Sequence, residues 1–131
     1  MKILIDTHIL IWLLDDNPKL SEKHKFLLEN LDNQLFISQF SFMELAIKLK
    51  LGKLPDFHFS MEEFIVEVER SGIKTITVEN KHFQTYQDLP LFDDHRDPFD
   101  RFIIATAIYE KLNLISADTK FTKYASLVSI L

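Results

Sequence analysis

Short apolar runs alternate with longer segments of helical periodicity along the whole chain. Lys2-Ile3-Leu4-Ile5 predicts a buried strand, followed by an apolar helix from Thr7 to Leu14 that stops before the turn cluster Asp15-Asp16-Asn17-Pro18. Ser21 can cap a second helix running to Leu31, with Phe26, Leu27, Leu28 and Leu31 inward, and Gln34 to Ser38 then predicts a second strand. A third helix spans Phe40 to Leu51 and is stopped by Gly52 and Pro55. Ser60 with Glu63 three residues on is a capping-box pattern, opening a helix that ends near Ser71-Gly72.

Ile73 to Val78 predicts the third strand and Asn80 to Gln87 the next helix. After the polar loop Asp93-Asp94-His95-Arg96, Asp97-Pro98 is a strong helix start, and Phe99 to Leu112 is apolar around most of its circumference, as in a helix buried between layers. Leu114-Ile115-Ser116 predicts the fourth strand, Asp118 to Tyr124 one or two helical turns, and Leu127 to Leu131 a fifth strand. Strand and helix in alternation imply one α/β domain over residues 1–131, a three-layer α/β/α fold around a central parallel sheet of about five strands.

Four carboxylates stand at the joints of this pattern. Asp6, Glu44, Asp100 and Asp118 each lie where a strand-like run ends or a helix begins. In a parallel sheet those joints share one edge, where ligands bind, so acids distant in sequence can form one pocket. Such a pocket repels itself unless a positive charge fills it, and a hard divalent cation with oxygen ligands is the usual solution.

Each acid also has an ordinary structural reading. Asp6 and Asp118 can be helix N-caps, and the hydroxyls of Thr7 and Ser116 can cap or orient a neighbouring acid. Ser41-Phe42-Met43-Glu44 matches a capping box, and Glu44 can pair with Lys48 one turn on. Asp97 fits the N-cap before Pro98, which leaves Asp100 freer to face the pocket and gives Asp97 a supporting role. Capping accounts for any one of these acids; it does not require all four at one sheet edge.

Composition narrows the class. With 131 residues, 47% hydrophobic and twelve Phe, the chain can build one core. It has no Cys, which excludes disulfides and thiolate metal sites and fits a reducing, cytoplasmic setting. No apolar stretch reaches the roughly 20 residues of a membrane span, and the Ile3 to Leu14 run, broken by Asp6, Thr7 and His8, has no cleavage site after it. Fifteen Lys and Arg against twenty Asp and Glu give a net charge of -5, which argues against a passive nucleic-acid binder. His8 has no second His at i+4, and the five His lack zinc-ligand spacing.

Taken in order, Ile5-Asp6-Thr7, Ser41 to Leu45, Asp97-Pro98-Phe99-Asp100-Arg101 followed by Ile103-Ile104-Ala105, and Leu114-Ile115-Ser116-Ala117-Asp118 resemble the PIN-domain proteins, most of all the VapC-type toxins of bacterial toxin–antitoxin pairs. The resemblance covers nearly the whole chain. It implies a PIN-like fold and a Mg²⁺- or Mn²⁺-dependent endoribonuclease. In that reading Asp6, Glu44, Asp100 and Asp118 are the catalytic, metal-holding acids, with Thr7, Asp97 and Ser116 supporting them. It also implies a homodimer, a cognate antitoxin as partner, and RNA products with a 5′-phosphate and a 3′-hydroxyl. Arg101 and Lys120, each following an acid at the active edge, are the candidate RNA contacts. The apolar segment Ile9 to Leu14 with the helix after it is a candidate docking surface, and equally a candidate for core or dimer interface.

Rival functions fit less well. A phosphatase of the haloacid-dehalogenase type needs a second Asp two residues after the first, where this chain has His8. A response-regulator receiver needs an adjacent acidic pair after the first strand and an Asp after the third; Thr77-Val78 follows Ile76 instead. A PIN-like module that binds RNA or protein without cleaving is the non-enzymatic alternative, and retention of all four acids argues against it.

Overall fold

The computed structural model describes residues 1–131. Its sheet has four strands, β1 (Lys2–Ile5), β2 (Gln34–Ser38), β3 (Lys74–Ile76) and β4 (Asn113–Ile115), all parallel, in the order β3-β2-β1-β4. Six α-helices connect and cover them: α1 (Thr7–Leu14), α2 (Glu22–Glu29), α3 (Gln39–Lys50), α4 (Met61–Arg70), α5 (Asn80–Asp88) and α6 (Pro98–Glu110). A 3-10 helix, Thr119–Tyr124, follows β4.

Strand alternation explains the layering. Ile3 and Ile5 point to one face, where they pack with Ile9, Leu10, Leu45, Phe64 and Val68 from α1, α3 and α4. Leu4 points to the other and joins Ile103, Ile104, Leu114, Phe121 and Tyr124. Both faces are therefore covered, as a parallel sheet requires. The α6 helix has seven consecutive buried residues, Arg101 to Ala107, in agreement with its all-round apolar sequence.

The fifth strand forms only at one point. Leu127 to Leu131 meets the sheet through a single parallel bridge, Leu114 to Ile130, with Leu114 N–H donating to Ser129 O and Leu131 N–H to Leu114 O at 2.8 Å each. The third strand is also shorter than its apolar run, three residues in place of six. Ile9, Leu10 and Ile11 are core residues, so the inner part of the Ile9 to Leu14 segment is taken up by packing within the chain.

Because β1 lies between β2 and β4, the chain leaves its carboxyl end toward α1 on one side while β4 approaches from the other. That crevice is where open α/β sheets place ligands.

Candidate metal centre

Asp6 is the first residue past β1 and holds the N-cap position of α1, yet its side chain makes no capping bond. Asp6 Oδ2 instead accepts the Ser116 hydroxyl at 2.9 Å, and Oδ1 has no partner although the residue is only 3% exposed. Ser116, just past β4, also accepts the Asp118 backbone N–H at 3.1 Å, so one hydroxyl ties the ends of β1 and β4 together. Asp118 caps the 3-10 helix through Oδ1, which accepts the Lys120 N–H at 2.9 Å, and is solvent-exposed.

Glu44 enters from α3. That helix follows β2 without a loop, capped by Ser38, whose hydroxyl accepts the Phe40 N–H at 3.2 Å. Ser41 is consequently inside the helix, its buried hydroxyl has no partner, and the Ser41–Glu44 capping box does not form. Glu44 is buried, with Oε2 3.2 Å from Lys48 Nζ and Oε1 unpartnered. Lys48 in turn donates to His8 Nε2 at 2.8 Å, so the pair permitted by the i,i+4 spacing is present and extends to α1.

Asp100 sits on the first turn of α6. Asp97 caps that turn, accepting from the backbone N–H groups of Phe99 and Asp100 at 2.9 and 3.0 Å, so the Asp100 side chain is not used in the cap. Burial raises the Asp100 pKa most, and the nearby charges of Asp6, Asp97, Glu44 and Asp118 raise it further, to about 8. Burial also pushes Asp6 up, with Glu44 adding to the rise and the Ser116 hydroxyl and His8 opposing it. Burial and the neighbouring acids therefore destabilise the ionised forms of Asp6 and Asp100, two residues far apart in the chain.

A divalent cation fits this arrangement. Asp6 Oδ1 and Glu44 Oε1 are buried acceptors with nothing to accept, and Thr7 Oγ1 is a buried hydroxyl without a partner, so oxygen ligands for a hard cation are available. The observation that decides the family is the match of a PIN domain model to residues 3–127. The chain belongs to the PIN domain family.

Solved structures agree with the PIN fold over the full length. VapBC2 from Rickettsia felis, bound to a DNA fragment from their promoter, is similar at 18% identity and TM-score 0.64, covering 100% of this chain and 98% of that one. A toxin–antitoxin complex from Klebsiella pneumoniae is similar at 24% identity and TM-score 0.62, covering 98% and 95%. FitAcB from Neisseria gonorrhoeae is similar at 19% identity and TM-score 0.65, covering 98% and 96%. No curated protein matches.

Two basic residues of this PIN domain part company. Lys120 is exposed at the edge that carries Asp118. Arg101 is 5% exposed and spent on structure: its guanidinium donates to Pro90 O at 2.8 Å and to the Tyr124 hydroxyl at 3.1 Å, and stacks on the Tyr86 ring. An RNA contact by Arg101 is therefore not supported.

His95, which the sequence places with Arg96 in the loop leading to the active edge, has a burial and a contact with Asp100 that the pattern did not reveal. It lies in a polar loop beside Arg96 but is 3% exposed, with Nδ1 2.9 Å from the Tyr124 hydroxyl and Nε2 3.3 Å from Asp100 Oδ2. Burial chiefly lowers its pKa, Asp118 and Asp97 opposing and Arg101 and Lys120 reinforcing the shift. Only its spacing of five residues from Asp100 could have signalled the contact. A second His among acids, His82, is fully committed elsewhere: Nδ1 accepts the Glu79 N–H at 3.1 Å and Nε2 donates to Glu110 at 2.8 Å, latching α5 to α6. The cavity of about 210 Å³ between Trp12 and Phe57 includes none of the four acids in its walls.

Proposed function

We propose that this PIN-domain chain is a Mg²⁺- or Mn²⁺-dependent endoribonuclease, the toxin of a toxin–antitoxin pair. The observation that carries the reading is the buried, partnerless pair Asp6 Oδ1 and Glu44 Oε1, beside Asp100, whose pKa is raised by burial and the neighbouring acids. Helix capping does not account for these acids, since Asp6 and Glu44 cap nothing, and the Ser116 and Lys48 contacts use only one oxygen of each. Similarity in fold to VapBC2, FitAcB and the toxin–antitoxin complex from Klebsiella pneumoniae supports the toxin assignment and a cognate antitoxin as partner; the homodimer and the cytoplasmic setting rest on the sequence resemblance.

Asp6, Glu44, Asp100 and Asp118 would hold the cation. When bound, it supplies Lewis acidity toward a phosphodiester and acidifies a water. Ser116 fixes the rotamer of Asp6 by donating to Oδ2, which keeps Oδ1 directed away from the hydroxyl. Asp97 fixes the first turn of α6 and with it the base of the Asp100 side chain. Lys48 balances one oxygen of Glu44 and leaves the other available. Lys120 offers an exposed cation to the RNA backbone at the rim. No side chain is needed as nucleophile, and the products would carry a 5′-phosphate and a 3′-hydroxyl.

Purified protein incubated with total cellular RNA tests the reading. Discrete fragments that form with Mg²⁺ or Mn²⁺ and vanish with EDTA are expected. Folded, ion-bound protein that binds RNA without cutting it would favour the non-cleaving module instead.

A further inference from the structure

We infer that His95 Nε2 is a metal ligand beside the carboxylates of Asp100 and Asp118, so that this site takes the divalent transition ion Mn²⁺ in preference to Mg²⁺. The inference deepens the metal-dependent reading above and rests on its premise that the acids hold a cation.

The ring is held for this task from behind. Tyr124 is fully buried, its hydroxyl lies 2.9 Å from His95 Nδ1, and it receives Arg101, which is itself fastened to Pro90 O. His95 N–H also donates to Phe92 O at 3.1 Å, closing the loop tightly. With Nδ1 committed, Nε2 is the nitrogen that faces the acids. For Nε2 to ligate, Nδ1 donates its N–H to the Tyr124 oxygen, as metal-bound histidines commonly donate their second N–H to an acceptor.

One ligand atom each from His95, Asp100 and Asp118 lies within 4.8 Å of the other two. The Nε2 to Asp100 Oδ2 distance of 3.3 Å is longer than the roughly 2.7–2.9 Å of a charge-assisted hydrogen bond. It is close to the separation of about 3 Å between adjacent ligands that each lie about 2.1 Å from an octahedral ion. Two further groups open toward a cation. Asp6, joined to the Asp118 backbone through the Ser116 hydroxyl, has Oδ1 free, and Glu44 has Oε1 free.

A nitrogen ligand changes which ion is favoured. Mg²⁺ prefers oxygen donors and keeps much of its water, whereas Mn²⁺, which also suits carboxylates and is the weakest nitrogen binder of the first-row ions, still accepts an imidazole more readily than Mg²⁺ does. Carboxylates alone would discriminate little between Mg²⁺ and Mn²⁺; His95 supplies the difference.

The test uses the full chain without RNA. Pulsed EPR of the Mn²⁺-loaded protein reads ligand nitrogen directly, and calorimetric titration reads the two affinities. We expect ¹⁴N modulation in the wild type, lost in His95→Gln and kept in His8→Gln, the other imidazole near the acids. Mn²⁺ affinity should fall at least about 10-fold in His95→Gln while Mg²⁺ affinity changes far less. Absence of ¹⁴N modulation or of Mn²⁺ binding in the wild type overturns the inference, as does a signal removed by His8→Gln. Equal loss for both ions overturns it too, because a ring that merely positions Asp100 would weaken them alike. Should His95→Gln fail to fold, the wild type and His8→Gln still decide. A nitrogen signal in protein that cuts no RNA would retain the site and reject the ribonuclease reading; cleavage without the signal would do the reverse.

Discussion

Ser116 donates its hydroxyl proton to Asp6 Oδ2 at 2.9 Å across 110 positions of sequence, joining the carboxyl ends of two adjacent parallel strands. The same oxygen accepts the Asp118 N–H, so one small side chain sets two of the four acids. Ser116→Ala should therefore weaken divalent binding about 10- to 100-fold, the usual effect of losing a partner behind a ligand. Thr at this position should restore binding, since its hydroxyl can make both contacts. Calorimetry on the two variants checks this; unchanged affinity in the Ala variant would show that Asp6 needs no orientation.

Asp100 links the site to stability. Without a cation its pKa is pushed up to about 8, against 3.8 for an ordinary Asp. Between those values the folded protein holds a proton that the unfolded chain releases, so this group's contribution to stability is greatest below about pH 4 and is lost as pH rises toward 8. Asp100→Asn removes the effect. In EDTA, the melting temperature of Asp100→Asn should gain on the wild type as pH rises from 5 to 8. His95, whose pKa is lowered, tilts both proteins the opposite way below its ordinary 6.5, which is why the difference between them is the quantity to measure. A difference that shrinks with rising pH would contradict the assignment.

The sheet and the placement of Asp6 were legible because Ile3-Leu4-Ile5 is an uninterrupted apolar run with an acid directly after it. Glu44 was legible as an acid at the right joint, but the capping box was not real: α3 begins two residues before Ser41, so that Ser38 takes the cap. Arg101 misled for a rotational reason. One residue along a helix turns the side chain by about 100°, away from the edge faced by Asp100 and toward Pro90 and Tyr124. His95 was hidden because its burial depends on Tyr124, 29 residues away, and nothing in a polar loop announces such a partner. Leu127 to Leu131 read as a strand because it is apolar; in the fold, only Ile130 of that run pairs with the sheet.

Arg101 and Lys120 make opposite predictions. Arg101→Met leaves Pro90 O and the Tyr124 hydroxyl without their donor and should cost about 1–3 kcal/mol of stability by denaturant titration. Lys120→Glu, at an exposed position, should leave stability within about 0.5 kcal/mol and weaken RNA binding instead. A stable Arg101→Met variant would mean that the buried guanidinium is dispensable. Unaltered RNA affinity in Lys120→Glu would remove that residue from the interface.

The most direct measurement of the central claim is the single-turnover rate of cleavage of one mapped RNA at saturating Mn²⁺ by the wild type and Asp6→Asn, each shown to be folded. The account predicts a loss of at least about 100-fold in Asp6→Asn, the scale on which removal of one group from a charge-stabilising site is felt, and no cleavage by either protein in EDTA. Cleavage by Asp6→Asn at the wild-type rate, or by the wild type with all divalent ions removed, would contradict it.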